Sequence, residues 1–185
     1  MVKSAVLFLI MLSTLSALGV GLLGPIYPIY VVNHFSASFI DVGLLYAVFC
    51  SIAAAFKALG GKLADTYGEE KVFLAGVATG ATCSLCYMLA SNLMHLYLIE
   101  FFFGISYALQ RPSFLVLMTN ISEKGRRGLF FGLSESIFDI AEATAAVLSA
   151  IIVSSVGFEP LFFACSACQA TAGIFVLKSR ATLNL

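Results

Sequence analysis

Acidic side chains inside long apolar runs are the residues of this sequence best placed to do chemistry, because a charge buried at membrane depth is costly and usually functional. Three of them, Glu135, Asp139 and Glu142, follow spacings of i, i+4 and i+7, which place them on one face of a helix. If that helix begins near Arg127, Asp139 lies about 18 Å and Glu142 roughly 22 Å along it, near mid-membrane. We therefore expect these acids to bind a cationic group or exchange protons.

A second polar face lies on the preceding apolar run, where Glu100, Tyr107 and Arg111 follow spacings of i, i+7 and i+11. Arg111 lies roughly 14 Å from the nearer end of its run and is expected to reach Asp139 or Glu142. A purely structural ion pair is the alternative. Four acids against this one base leave an excess of negative charge, which favours substrate or proton binding and a cationic or amphipathic substrate.

The apolar runs that carry these residues are long enough to cross a membrane. The composition is 61% hydrophobic and 11% charged, with a mean hydropathy of +1.01, whereas soluble domains are roughly half apolar and a quarter charged. A span needs about 20 apolar residues. The sequence predicts an all-α integral membrane protein with one six-helix domain over residues 1–185, with spans at about 5–31, 39–60, 71–91, 94–120, 127–155 and 158–178. The first run is too long for a signal peptide and is expected to remain.

Basic residues predict the orientation of these spans, because Lys and Arg near span ends stay on the cytoplasmic side. Nine of the ten are expected at the termini or in the second and fourth loops: Lys3, Lys57, Lys62, Lys71, Lys124, Arg126, Arg127, Lys178 and Arg180. The three opposite loops hold no Lys or Arg. We expect both termini on the cytoplasmic side of a plasma (inner) membrane.

The stretch between the second and third spans carries a recognisable motif, Gly61-Lys62-Leu63-Ala64-Asp65 followed by Gly68. It resembles the G-x-L-A-D-x-x-G loop signature of the major facilitator superfamily. The resemblance implies half of a transporter, built from two three-helix inverted repeats. It also implies a cytoplasmic gate in which Asp65 faces a helix N-terminus of the other half, as the helix dipole favours. Arg127, at a position similar to the start of the family's fifth helix, joins Gly61, Asp65 and Gly68 in this gate.

Three departures from the family pattern bear on function. Thr66, Glu69 and Glu70 replace the basic residues expected around Gly68, which leaves the partners of the gate open. Glu100 stands where the family often has an arginine. Residues 140–150 lack the glycine and proline motif of the family's antiporters, which weakens an antiport assignment.

The resemblance implies secondary active transport of a small solute, and the buried acids suggest proton coupling. The expected partners are the lipid bilayer, the solute and protons, with no nucleic acid. A second half would come from a homodimer or from a separate half-transporter. The alternative is a scaffold or an inactive remnant whose acids hold a partner membrane protein.

Enzyme chemistry and metal binding have little support in the sequence. The only histidines, His34 and His95, fall in expected loops, and no hydrolase or nucleotide-binding motif is present. Two C-x-x-C pairs, Cys83 with Cys86 and Cys165 with Cys168, lie within spans. Cysteine there is often a small apolar residue, so we expect packing, no metal site and no cofactor, although a thiolate site is the alternative.

Overall fold

The computed structural model describes residues 2–122 and 125–183, and the described chain is helical apart from short connections. The seven α-helices are α1 (Val2–Gly21), α2 (Tyr27–Phe35), α3 (Phe39–Tyr67), α4 (Glu69–Cys86), α5 (Leu93–Ile121), α6 (Arg127–Val156) and α7 (Glu159–Leu183). A short 3-10 helix, Tyr87–Leu89, continues α4. In this part of the chain five helices, α3 to α7, are long and apolar enough to cross a membrane. The protein is thus a helical integral membrane protein. Lys124, assigned above to the fourth loop, lies outside the described residues.

The first expected span is divided into two helices, α1 and α2, by a turn over residues 22–26. Pro25 lies in this turn and has no N–H to donate to a helical hydrogen bond. Pro28 stands in the first turn of α2, where the missing N–H costs nothing. Helix α1 ends at Gly21 and α2 begins at Tyr27, so this region is not the single continuous helix that hydropathy predicts.

The motif with Asp65 lies on a helix rather than in a loop, which corrects the predicted end of the second span at residue 60. Helix α3 continues through Gly61 and Asp65 to Tyr67, and α4 begins at Glu69. The connection between them is Gly68 alone, whose φ of +92° is a conformation that residues with a side chain rarely adopt. The helix continues because a glycine costs only about 1 kcal/mol in a helix interior. Lys57 and Lys62 are therefore helical residues rather than loop residues.

Polar side chains fix two helix starts. Ser38 caps α3, since its hydroxyl accepts a hydrogen bond from the Asp41 amide while Asp41 accepts from the Ser38 amide. Asn92 caps α5 by accepting from the His95 amide. The His95 ring in turn lies 3.2 Å from the Ser91 hydroxyl. His95 thus belongs to a helix start.

The helices pack as two groups joined through α4 and α7. Helix α1 packs against α6 and α7, helix α5 packs against α3 and α4, and α4 packs against α7. Two apolar clusters form the core, one around Tyr30, Tyr87 and Phe162 and the other around Phe73 and Met118.

A polar group lies between α4, α5 and α7. The Ser106 hydroxyl donates to the Gly76 carbonyl at 2.8 Å, and Gln110 donates to Ser106 at 2.8 Å. A Cβ at Gly80 would overlap the Gln169 side chain. Small residues thus let these membrane helices approach closely.

The two adjacent glycines of α3 give a test of this packing. A Cβ at Gly60 would overlap the carbonyl of Ala108 on α5, whereas one at Gly61 would lie 3.9 Å from Pro112, an ordinary contact. We expect Gly60→Ala to lower the free energy of unfolding by about 1–3 kcal/mol through overpacking, and Gly61→Ala to leave it unchanged or raise it by up to about 1 kcal/mol through better helix propensity. Thermal unfolding in detergent measures both. Equal melting temperatures for the two variants would contradict this account of the α3–α5 contact.

Candidate functional site

Two of the cavities in the described part of the chain contain the polar residues predicted on α5. The first, called here the Arg111 cavity, has a volume of about 270 Å³ and is lined by residues of α1, α4, α5 and α6: Ser16, Val20, Phe73, Tyr107, Gln110, Arg111, Phe114, Phe138 and Glu142. The second, the Glu100 cavity, has a volume of about 430 Å³ and lies between α1, α2, α3 and α5, with Tyr87 of the 3-10 helix on its wall. A small space of about 30 Å³ shares Val20 and Phe103 with the Glu100 cavity and Tyr107 with the Arg111 cavity.

Arg111 pairs with Glu135, and not with Asp139 or Glu142 as the sequence suggested. Its guanidinium nitrogen donates to Glu135 Oε1 at 2.9 Å, and the side chains are 30% and 46% exposed. Both residues stand at similar depth, since Arg111 is about 15 Å from the end of α5 and Glu135 about 12 Å from the start of α6. The guanidinium also lies 5.8 Å from the centre of the Phe114 ring. The pair therefore bridges α5 and α6.

The other two acids of α6 occupy different surroundings. Glu142 lines the Arg111 cavity. The backbones of α1 and α6 approach closely here, since a Cβ added to Gly21 would lie 2.9 Å from the Glu142 backbone. Asp139 is exposed, and neither acid has a hydrogen bond or ion pair with any residue in the described ranges. One face of α6 thus presents two unpaired carboxylates beside one paired carboxylate.

Lys57 is a second base well inside a long apolar helix, which corrects the sequence-based count of one base within the spans. It lies about 15 Å from the end of α3, and its Nζ is 4.9 Å from the centre of the Tyr107 ring, a cation–π geometry. Four acids therefore face two bases, so the excess of negative charge is smaller than expected. The error came from ending the helix at the two glycines, because a helix that continues to Gly68 puts Lys57 well inside it.

Glu100 is separated from the Arg111 group. It is only 5% exposed, and the Tyr87 hydroxyl donates to its Oε1 at 2.8 Å. On the same helix, Gly104 packs against α3, where a Cβ would lie 2.9 Å from the Phe49 carbonyl. The face predicted on α5 thus divides between two cavities, with Glu100 in one and Tyr107 and Arg111 in the other.

The gate residues lie near the two helix connections on one side of the bundle. Asp65 and Arg127 are both exposed, and neither pairs with another residue in the part of the chain that the structure covers. One of the departures from the family motif has a local partner: Asn120, at the end of α5, donates to Glu69 Oε1 at 2.8 Å. Glu69 thus ties α5 to the start of α4, while Asp65 remains available for another partner.

The cysteines contribute to packing. Cys83 and Cys165 are buried in the apolar cluster around Tyr87, and Cys86 and Cys168 pack against it. Across residues 2–122 and 125–183, no three His, Cys, Asp or Glu side chains come together in a way that could hold a metal ion.

Comparisons with known proteins agree with this architecture. A sequence model of the Major Facilitator Superfamily matches residues 9–182. The chain is 28% identical over 121 residues to the tetracenomycin C resistance and export protein of Streptomyces glaucescens, covering 65% of this chain and 22% of that protein. It is 21% identical over 164 residues to the class H tetracycline resistance protein of Pasteurella multocida, and this match covers 88% of this chain and 41% of that protein.

The chain thus spans less than half the length of these two relatives. It is also 23% identical over 157 residues to the uncharacterized MFS-type transporter YitZ of Bacillus subtilis, and here the match covers 83% of this chain and 95% of that protein. Because the superfamily model extends over nearly the whole sequence, this chain belongs to the major facilitator superfamily.

Proposed function

We propose that this chain forms one half of a secondary active transporter that moves a small solute across the membrane in exchange for, or together with, protons. A second six-helix unit completes it, and a second copy of the chain is the unit we favour. The names of two relatives, a resistance and export protein and a tetracycline resistance protein, support transport of small organic molecules.

The observation that carries this proposal is a set of exposed charges well inside the long apolar helices. Lys57 and Asp139 are exposed, and Glu135 keeps 46% of its side chain exposed although it pairs with Arg111. Charges at this depth cannot face lipid without a large cost, so they face a water-filled cavity or another protein unit. A solute pathway between two halves provides both of these surroundings, because it is a water-filled cavity bounded by a second protein unit.

The helix packing supports the predicted pair of inverted repeats. Suppose that the first repeat, α1 to α4, and the second repeat, α5 to α7, exchange places, so that α1 corresponds to α5. The packing of α1 against α6 and α7 then corresponds to the packing of α5 against α3 and α4. The contact of α4 with α7 then corresponds to itself. Repeats of this kind are common in secondary transporters, which bind their substrates where repeats meet.

The proposed orientation places the α3–α4 and α5–α6 connections and both ends of the chain in the cytoplasm. Lys62, Arg126 and Arg127 lie beside those connections. The connections α2–α3 and α6–α7 and the one that precedes α5 carry no Lys or Arg. This asymmetry is the one that the positive-inside rule requires.

Reconstitution tests the proposed function directly. Liposomes containing the purified chain and an internal pH-sensitive dye would be given a panel of organic cations, anions and neutral solutes. We expect at least one solute to cause a change of internal pH that protein-free liposomes do not show. A chain that retains a partner membrane protein but moves no solute and no proton would instead support the scaffold alternative.

Cross-linking tests the second copy. In a background with the exposed Cys50 replaced by serine, one tagged copy would carry Asp65→Cys and a differently tagged copy Gly128→Cys. Asp65 has no partner within its own described chain, and a Cβ at Gly128 meets nothing within 4 Å. We therefore expect a disulfide between the two tagged copies. Solute flux without any link between identical chains would contradict the dimer and indicate a different second half.

A further inference from the structure

We infer that the Glu100 cavity binds an organic cation with an apolar or aromatic body, which names the substrate class of the proposed transporter. This inference rests on the proposed function for its physiological meaning, but the binding itself is measured separately. The cavity is distinct from the Arg111 cavity and has a different chemistry. It combines one buried carboxylate with a wall of aromatic rings.

The carboxylate supplies the charge complementarity. Glu100 is 5% exposed, and none of the described residues that line its cavity is basic. A buried carboxylate without a counter-charge is unstable unless a cation or a proton accompanies it. The Tyr87 hydroxyl donates one hydrogen bond to Oε1, which orients the carboxylate but does not neutralise it.

The aromatic wall supplies the second half of a cation site. Five rings follow one another around the cavity, with neighbouring ring centres 5.4 to 6.3 Å apart: Tyr27, Tyr87, Phe103, Phe49 and Tyr46. The faces of such rings attract cations, and cages of aromatic residues recognise quaternary ammonium groups. The site therefore favours a bulky, weakly hydrated cation over a small, strongly hydrated ion.

A second polar atom lies beside the carboxylate. The Tyr27 hydroxyl is buried close to both the Glu100 carboxylate and the Tyr87 hydroxyl, so the polar atoms of the cavity form one group on its wall. The volume of about 430 Å³ is within the usual range for small-molecule sites.

The position of the cavity connects it to the proposed pathway. Its wall includes Gly24 and Pro28, which flank Pro25 in the turn between α1 and α2. A space of about 30 Å³ lies between it and the Arg111 cavity and shares lining residues with both. A cation held at Glu100 would thus be separated from the charged face of α6 by only a few side chains of α1 and α5.

Equilibrium binding to the full chain in lipid nanodiscs tests the inference, with tetraphenylphosphonium as the probe and tetraphenylborate, an anion of the same shape, as its control. We expect the chain to bind the phosphonium and to bind the borate at least tenfold more weakly. Glu100→Gln should weaken phosphonium binding by at least tenfold, while Glu159→Gln, which removes an exposed acid in the first turn of α7, leaves it within about twofold. Tyr46→Leu should weaken it about two- to fivefold, the loss of one cation–π contact.

Several results would overturn the inference. They are no phosphonium binding by the unaltered chain, equal binding of the borate, or equal effects of Glu100→Gln and Glu159→Gln. Should Glu100→Gln fail to fold, Tyr46→Leu decides, because Tyr46 is 66% exposed and its loss leaves the core intact. A solute flux that persists when phosphonium does not bind would contradict this inference and leave the transport proposal standing.

Discussion

Arg111→Gln is expected to slow solute transport by about a hundredfold, a rate change equivalent to ~3 kcal/mol. The substitution removes the base that holds Glu135 at 2.9 Å and that shares its cavity with Glu142. Glu135 and Glu142 would then both stand without a positive partner among the described residues. The initial rate of solute-driven pH change in proteoliposomes measures the effect.

The double variant Arg111→Gln with Glu135→Gln distinguishes the two roles of this ion pair. If the pair only joins α5 to α6, removing both charges relieves the unpaired carboxylate, so transport recovers together with thermal stability. If Arg111 acts on the solute or on the protons, stability recovers while transport stays low. We expect the second result, because the pair lines the face that carries the unpaired Asp139 and Glu142. Full recovery of transport would make the pair structural.

The positions of most helices were predictable because hydropathy and loop charge are properties of short stretches of sequence. The spans expected at 94–120 and 127–155 agree with α5 and α6 to within one residue at each end. The break between α1 and α2 and the extension of α3 were missed. Both depend on how strongly a glycine or a proline disrupts a helix, and packing decides that. Gly60 packs closely against the α5 backbone within a continuous helix, whereas Pro25 is exposed in the turn between α1 and α2.

The site residues were predicted as two faces, but their partners were not. Periodicity places Glu135, Asp139 and Glu142 on one side of α6, yet it cannot tell which of them Arg111 reaches, because that depends on the depth at which two helices cross. The aromatic wall around Glu100 had no sequence signal either, since its rings come from four separate segments of the chain. Lys57 could have been found by asking whether the helix continues through Gly60 and Gly61.

Asp139→Asn combined with Glu142→Gln is expected to abolish proton-driven solute accumulation. One proton moving down a gradient of one pH unit supplies about 1.4 kcal/mol, enough for about a tenfold concentration ratio across the membrane. With both carboxylates replaced by amides, which exchange no proton, the ratio should fall to about one. Glu159→Gln is the matched control, since Glu159 is an exposed acid in the first turn of α7.

The decisive comparison is between accumulation and exchange. Exchange of labelled for unlabelled solute at equal concentrations needs the pathway to open to both sides but needs no net proton movement. We therefore expect the double variant to keep exchange while it loses accumulation, whereas a misfolded chain would lose both and would also unfold at a lower temperature. Unchanged pH-dependent accumulation in the double variant would exclude these two acids as proton carriers. The proton would then have to travel through Glu135 or Glu100, the remaining carboxylates that line the two faces of the predicted site.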